Sequence, residues 1–130
     1  MDLDKAVSGN SIKDARTQQI LAAAFEVSNT LGHGFLEIVY QRALLYELSL
    51  LGLDAKREVS FRIDYKGEEI GFYVADLVVE NKVIVELKAI ETLGLSHVGQ
   101  CLNYLRASGL RTALLLNFGR PKLEFKRVSL

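Results

Sequence analysis

Apolar positions recur with two different periods along this chain, and the change of period divides it. Ile20, Ala24, Val27 and Leu31 return every three or four residues, as one face of a helix does. Ser11, with Asp14 three residues later, forms a capping pair ahead of them, which predicts a first helix over roughly Ile12–Leu31. Gly32-His33-Gly34 breaks it. Leu36, Val39/Tyr40, Ala43/Leu44 and Leu48 predict a second helix over about Phe35–Leu51, stopped by Gly52. The period then drops to two. Val59, Phe61, Ile63 and Tyr65 alternate, Lys66-Gly67 turns the chain, and Ile70, Phe72 and Val74 alternate again. Leu77–Val79 and Val83–Val85 flank Glu80-Asn81-Lys82 as a hairpin of two buried strands. A third helix is expected over about Ser96–Ser108, with Val98, Cys101, Leu102 and Leu105 on its apolar face. The continuous run Thr112–Leu116 suits a central strand covered on both faces, and Leu123, Phe125 and Arg127 alternate in a last strand. The predicted order is ααβββαββ. Three antiparallel strands and a helical crossover into another strand give an α/β (α+β) fold, a mixed β-sheet flanked by helices.

Composition narrows the setting. At 130 residues, 49% apolar and 25% charged, the chain is expected to form one domain over 1–130, with residues 1–10 flexible. It is neither disordered nor low-complexity in character. The lone Cys101 excludes an internal disulfide and a cysteine-rich zinc site, and fits a reducing compartment, so a cytoplasmic location is expected. Thr92–Leu105 is the longest stretch without Asp, Glu, Lys or Arg, too short and too polar for a membrane span of about 20 residues. The opening MDLDKAVSGN lacks the apolar core of a secretory signal. Net charge is zero, yet from His97 onward six basic residues face a single Glu124. Such a basic portion can attract phosphates while the acidic remainder holds a cation; both sets of charges can equally be solvated surface.

The chemistry concentrates between Ala75 and Lys88. Asp76 ends one apolar strand, and Glu86 and Lys88, two apart, project from one face at the end of the next. Acidic-x-Lys alone carries little information, since the chain holds five such pairs. Only Glu86/Lys88 follows a Val-Ile-Val strand core with an Asp ending the neighbouring strand. Buried charges of this kind must serve each other or a cation. A cross-strand salt bridge on a solvated sheet face is the competing reading of these residues. Parity decides whether the carboxylates can meet. Pairing Val79 with Val83 around a three-residue loop sets Asp76 opposite Glu86, whereas a two-residue loop would turn it away.

In context the arrangement resembles the PD-(D/E)XK nuclease superfamily, and more closely the small bacterial and archaeal GxxExxY proteins within it. The naming motif stands as Gly34-Phe-Leu-Glu37-Ile-Val-Tyr40, and the nuclease signature as Asp76, Glu86 and Lys88 within VADLVVENKVIVELKAIE. HVGQCLNYL carries Gln100 and Tyr104, resembling the Gln-x-x-x-Tyr motif of the subset that includes RecB-type nuclease domains. LLLNFG closes the resemblance at Leu114–Gly119. Ser28 stands where relatives often carry His, and His33 where they carry Pro. The resemblance implies a restriction-endonuclease-like core and a metal-dependent phosphodiester hydrolase acting on nucleic acid, most readily DNA. A second implied class is an inactive nuclease-fold module that binds nucleic acid or a protein partner.

Roles follow from the resemblance and the chemistry of the groups. Asp76, Glu86, the Leu87 carbonyl and Glu37 are the expected ligands of Mg²⁺ or Mn²⁺. Lys88 would orient or deprotonate the attacking water. Gln100 and Tyr104, four apart on one helix face, are expected to point toward Glu37 and Lys88 if they serve the site; otherwise they are the polar edge of an amphipathic helix. His97 lies beside them as either a phosphate contact or an ordinary surface group. His33 reads as a turn residue, and Cys101 as a buried small apolar residue. A homodimer would double the basic surface. No membrane contact is expected.

Overall fold

The computed structural model describes residues 14–130, and these form three helices and five strands. In chain order they are α1 (Ala15–Leu31), α2 (Glu37–Leu50), β1 (Ala55–Tyr65), β2 (Glu68–Val79), β3 (Val83–Lys88), α3 (Leu95–Ser108), β4 (Thr112–Asn117) and β5 (Glu124–Ser129). The order ααβββαββ is the one predicted. Asp14 itself caps α1, accepting Arg16 N and Thr17 Oγ1, each at 3.0 Å. Ser11, the expected helical residues 12 and 13, and the expected flexibility of residues 1–10 lie outside the described residues. The other helices differ from expectation only at their ends. α2 starts after Leu36 rather than at Phe35, and α3 starts at Leu95 after Gly94. Among the described residues, no helix is long and apolar enough to cross a membrane.

The sheet has the order β1-β2-β3-β4-β5, with β3 and β4 parallel and every other pair antiparallel. α1 and α2 cover one face, packing Ile20, Val27, Tyr40, Leu44 and Leu48 onto Leu77, Val85, Leu87, Leu114 and Leu116. α3 covers the other, packing Val98, Cys101, Leu102 and Leu105 onto Ala75, Ile84, Ala113 and Leu115. β4 is an interior strand, between β3 and β5, and is buried from Ala113 to Asn117, as its unbroken apolar run requires. Each fully buried leucine there contributes about 1.5–3 kcal/mol, so β3 and β4 form a rigid base for whatever their ends carry.

The long β1–β2 hairpin departs from simple alternation. Residues four apart on a regular strand share a face. Ala55 nevertheless packs with α1 and α2, while Val59 packs with α3. In β2, Ala75 faces α3 whereas Leu77 faces the other side. Both strands therefore exchange faces at one step. Arg57 pairs with Leu77 and Val59 with Ala75, so Glu58 lies across from Asp76 at that step, with a left-handed φ of 54°. Beyond it Ile70, Phe72 and Val74 alternate as predicted but point to solvent, while Tyr73 and Ala75 are buried.

Candidate active site

The β2–β3 hairpin has the register that hairpin parity requires. Val79 pairs with Val83 around Glu80–Lys82, and the ladder continues through Val78/Ile84 to Leu77/Val85. Glu80 and Asn81 take left-handed φ values of 56° and 55°, and Lys82 N bonds to Val79 O at 3.0 Å to close the turn. The backbone ladder stops there. Asp76 and Glu86, next in line, replace it with side-chain bonds. Asp76 Oδ2 accepts Leu87 N at 2.8 Å, and Glu86 Oε1 accepts Asp76 N at 3.4 Å. The exchange of faces at Asp76 is what turns its carboxylate into the gap where β2 leaves β3.

Glu86 is buried at 7% exposure with Asp76 beside it. Burial, and then the charge of Asp76, push its carboxyl up to about 8, only partly countered by Lys88 nearby. Among the described residues the ion pairs are Arg62–Asp64 and Arg120–Glu124, and neither Asp76 nor Glu86 belongs to one. The competing picture of a cross-strand salt bridge on a solvated face is thereby corrected: Glu86 is buried against another acid. Burial and the neighbouring acid both disfavour a negative charge on Glu86, and a divalent cation would offset that cost.

On the α2 side of Asp76 lies a hollow of about 150 Å³, lined by Glu37, Ile38, Gln41, Glu58, Asp76 and Leu87. Glu37 occupies the first turn of α2, where the helix N-terminus favours a carboxylate, and stands exposed at this rim. Among the described residues, no three His, Cys, Asp or Glu side chains enclose an ion by themselves. Magnesium seldom needs that many, being held through one or two carboxylates with waters and substrate phosphates completing its shell. Asp76, Glu86 and the Leu87 carbonyl suit it as hard oxygen donors, and the raised Glu86 carboxyl is what a nearby cation would relieve.

The opposite side of the gap belongs to α3. Tyr104 stacks on Tyr73 with centroids 3.9 Å apart, and Tyr73 donates its hydroxyl hydrogen to Tyr104 O at 3.1 Å. Burial and then the charge of Glu86 raise the Tyr104 phenol. Gln100 is exposed and makes no hydrogen bond to Glu37 or Lys88 among the described residues. Since α2 and α3 lie on opposite faces of the sheet, the expected approach of Gln100 to Glu37 is not formed. His97 caps its own helix, with Nδ1 accepting Gly94 N at 2.9 Å. Cys101 is buried, its thiol pushed up to about 12 by burial and then by Glu86, which suits the apolar role read from the sequence.

A family model described as the PD-(D/E)XK nuclease superfamily matches residues 14–128. The chain belongs to that superfamily. Its mixed sheet and helices are accordingly a restriction-endonuclease-like fold. No curated protein matches it. A solved chain, described as "Crystal structure of SSO0001", is similar at 14% identity and a TM-score of 0.47, over 90% of this chain and 78% of that one. A likeness that distant has no bearing on activity.

Two residues of the superfamily-like blocks hold the backbone rather than line the gap. Tyr40 is fully buried, donates to Gly32 O at 2.8 Å, accepts Phe35 N at 3.2 Å and stacks on Phe118 at 4.7 Å. It thus fixes the loop from which α2 presents Glu37. Asn117, also fully buried, accepts Ile90 N and Gly119 N and donates to Ile90 O, each at 3.0 Å. Its second amide hydrogen goes to Glu124 Oε1 at 3.1 Å. Phe118 N bonds to Lys88 O at 2.8 Å, so this block clamps the chain just beyond Lys88. Gly119 permits the approach, since a Cβ there would come within 2.2 Å of Ile90 O. Sequence reasoning assigned these no individual role, although a lone Asn ending an apolar strand was a visible signal.

Proposed function

We propose that this protein is a metal-dependent nuclease of the GxxExxY kind, hydrolysing phosphodiester bonds of nucleic acid, with DNA as the preferred substrate. One observation carries the reading: Glu86 is buried against Asp76 without a basic ion-pair partner, on the strand end that also carries Lys88. Membership of the superfamily supports hydrolysis of nucleic acid. The Gly34–Tyr40 block supports the narrower assignment.

In this reading Asp76, Glu86 and the Leu87 carbonyl hold Mg²⁺ or Mn²⁺, with Glu37 reaching it from the α2 side. The ion supplies Lewis-acid polarisation of the phosphate and charge stabilisation in the transition state. Lys88, half-exposed on the strand of Glu86, orients the attacking water, and would take its proton in the neutral amine form that a neighbouring dication favours. Its backbone oxygen is tied to Phe118 N, which fixes where the side chain starts. Tyr104, stacked on Tyr73, limits water access from the α3 side, while Gln100, one turn earlier at the surface, contacts the nucleic-acid backbone.

The test is a panel of single-stranded, duplex and branched DNA and RNA with Mg²⁺, Mn²⁺ or EDTA. Wild type should cut with metal, and Lys88→Ala and Glu86→Gln should both fold and not cut. Only Glu86→Gln should also lose metal-dependent stabilisation, about 2.7 kcal/mol for wild type at a hundredfold excess over Kd. Absence of both cleavage and metal stabilisation in wild type would leave an inactive binding module.

A further inference from the structure

The hollow beside Asp76 contains two groups that none of the motifs accounts for. Glu58 reaches it from β1 and Gln41 from α2. Glu58 lies across from Asp76 with φ at 54°, a conformation that glycine adopts freely and glutamate does not. Gln41 is 5% exposed, and its Nε2 donates to Asp76 O at 3.3 Å. Its Oε1 has no hydrogen-bond donor. Buried amide oxygens are almost always satisfied, because leaving one bare forfeits its hydration without return. Turning the amide over gives no relief, since Oε1 would then meet the Asp76 carbonyl, another acceptor. The missing partner is therefore a donor that fits about 150 Å³ among the carboxylates of Glu37, Glu58 and Asp76. Water polarised by a cation meets each of those conditions.

We propose that Glu58 and Gln41 complete the cation site on its α2 side, accepting hydrogen bonds from the hydration water of the divalent ion held by Asp76 and Glu86. The proposal rests on the nuclease reading for the ion itself. Magnesium dehydrates reluctantly and keeps several waters, so the acceptors around that shell decide its orientation. Such outer partners commonly change metal affinity by about 10–100-fold when removed. Glu58 and Gln41 are positioning residues here, acting through water rather than on the phosphate. The same geometry gives the exchange of strand faces a use, because it brings Glu58 and Asp76 to one hollow.

Mn²⁺ binding to the full chain without nucleic acid, followed by the loss of the free-ion electron paramagnetic resonance signal, tests this independently of cleavage. Glu58→Gln and Gln41→Leu should each weaken Mn²⁺ binding about tenfold or more. Glu69→Gln, at the far end of the hairpin, should stay within about twofold, since distant exposed charges are screened. Glu58→Gly is the sharpest variant. It should lose Mn²⁺ affinity as Glu58→Gln does, yet melt no lower than wild type in EDTA, because glycine suits the left-handed backbone. Wild-type affinity in Glu58→Gln and Glu58→Gly, with affinity lost in Glu86→Gln, would overturn this inference and leave the nuclease reading intact. No Mn²⁺ uptake by wild type would overturn both.

Discussion

Two buried polar clusters flank the end of β3, and they are built on opposite principles. Around Asn117, both amide hydrogens and the amide oxygen are used, and Glu124 goes on to accept Leu93 N at 2.9 Å. Around Asp76, two carboxylates lie together, burial and that proximity push the Glu86 carboxyl up, and Gln41 Oε1 has no donor. A closed network returns the desolvation cost of its members and stiffens the chain. An open one costs stability unless something else enters. The difference makes the Asn117 cluster architecture and, on the proposed nuclease reading, leaves the Asp76 cluster for a ligand.

The largest expected effect comes from breaking the closed cluster. Asn117→Ala strips partners from Ile90 N, Ile90 O and Gly119 N at a fully buried site. It should cost about 3–5 kcal/mol, with the same loss in EDTA and in Mg²⁺. Denaturant midpoints under the two conditions measure this. A loss that appeared only with metal would erase the distinction between the clusters.

The open cluster should respond in the opposite sense. The Glu86 carboxyl titrates near 8 in the folded chain against 4.5 in its ordinary range, so the folded state binds a proton that the unfolded state has released. Its contribution is therefore fully present below about pH 4.5 and is lost as pH rises through 8. Metal-free wild type should lose stability between pH 5 and 8, on the order of a few kcal/mol. Glu86→Gln should flatten that profile and raise metal-free stability at pH 8, while Mg²⁺ should flatten it in wild type only. Thermal melts across this range in EDTA and Mg²⁺ decide the matter, and a wild-type profile without slope would remove the open cluster's main physical signature.

The same contrast explains what could be read in advance. Element order and the Val79/Val83 register, which carries Asp76 alongside Glu86, follow from apolar period and hairpin parity, both local properties. The exchange of faces at Glu58 and Asp76 does not, because period-two reading assumes a straight strand. That is why Ile70, Phe72 and Val74 look like a buried face and are exposed. Gln41 was within reach: it shares the buried stripe of α2 with Leu44 and Leu48, and a glutamine there needs partners. The surface position of Gln100 was legible, since it lies outside the apolar face of Val98, Cys101, Leu102 and Leu105. The separation of α2 and α3 across the sheet was not, because it depends on tertiary packing that no helical spacing encodes.

The smallest effect tests how the two clusters communicate. Tyr40 stacks on Phe118, next to Asn117, and its hydroxyl ties Gly32 O and Phe35 N at the entrance to α2. Tyr40→Phe keeps the ring and its stacking but removes both bonds. Two hydrogen bonds at a buried hydroxyl are worth about 1–2 kcal/mol together, so the melting temperature should fall modestly. The consequence at the open cluster should be smaller still. Glu37 sits on the turn that this loop leads into, but the Asp76–Glu86 pair is fixed by β2 and β3 and does not depend on it. Mn²⁺ affinity should therefore change by less than about threefold, in contrast to the tenfold loss expected for Glu58→Gln. A loss as large as that of Glu58→Gln would mean that the Gly32–Phe35 loop governs the hollow, and that the closed cluster reaches the ion through Tyr40.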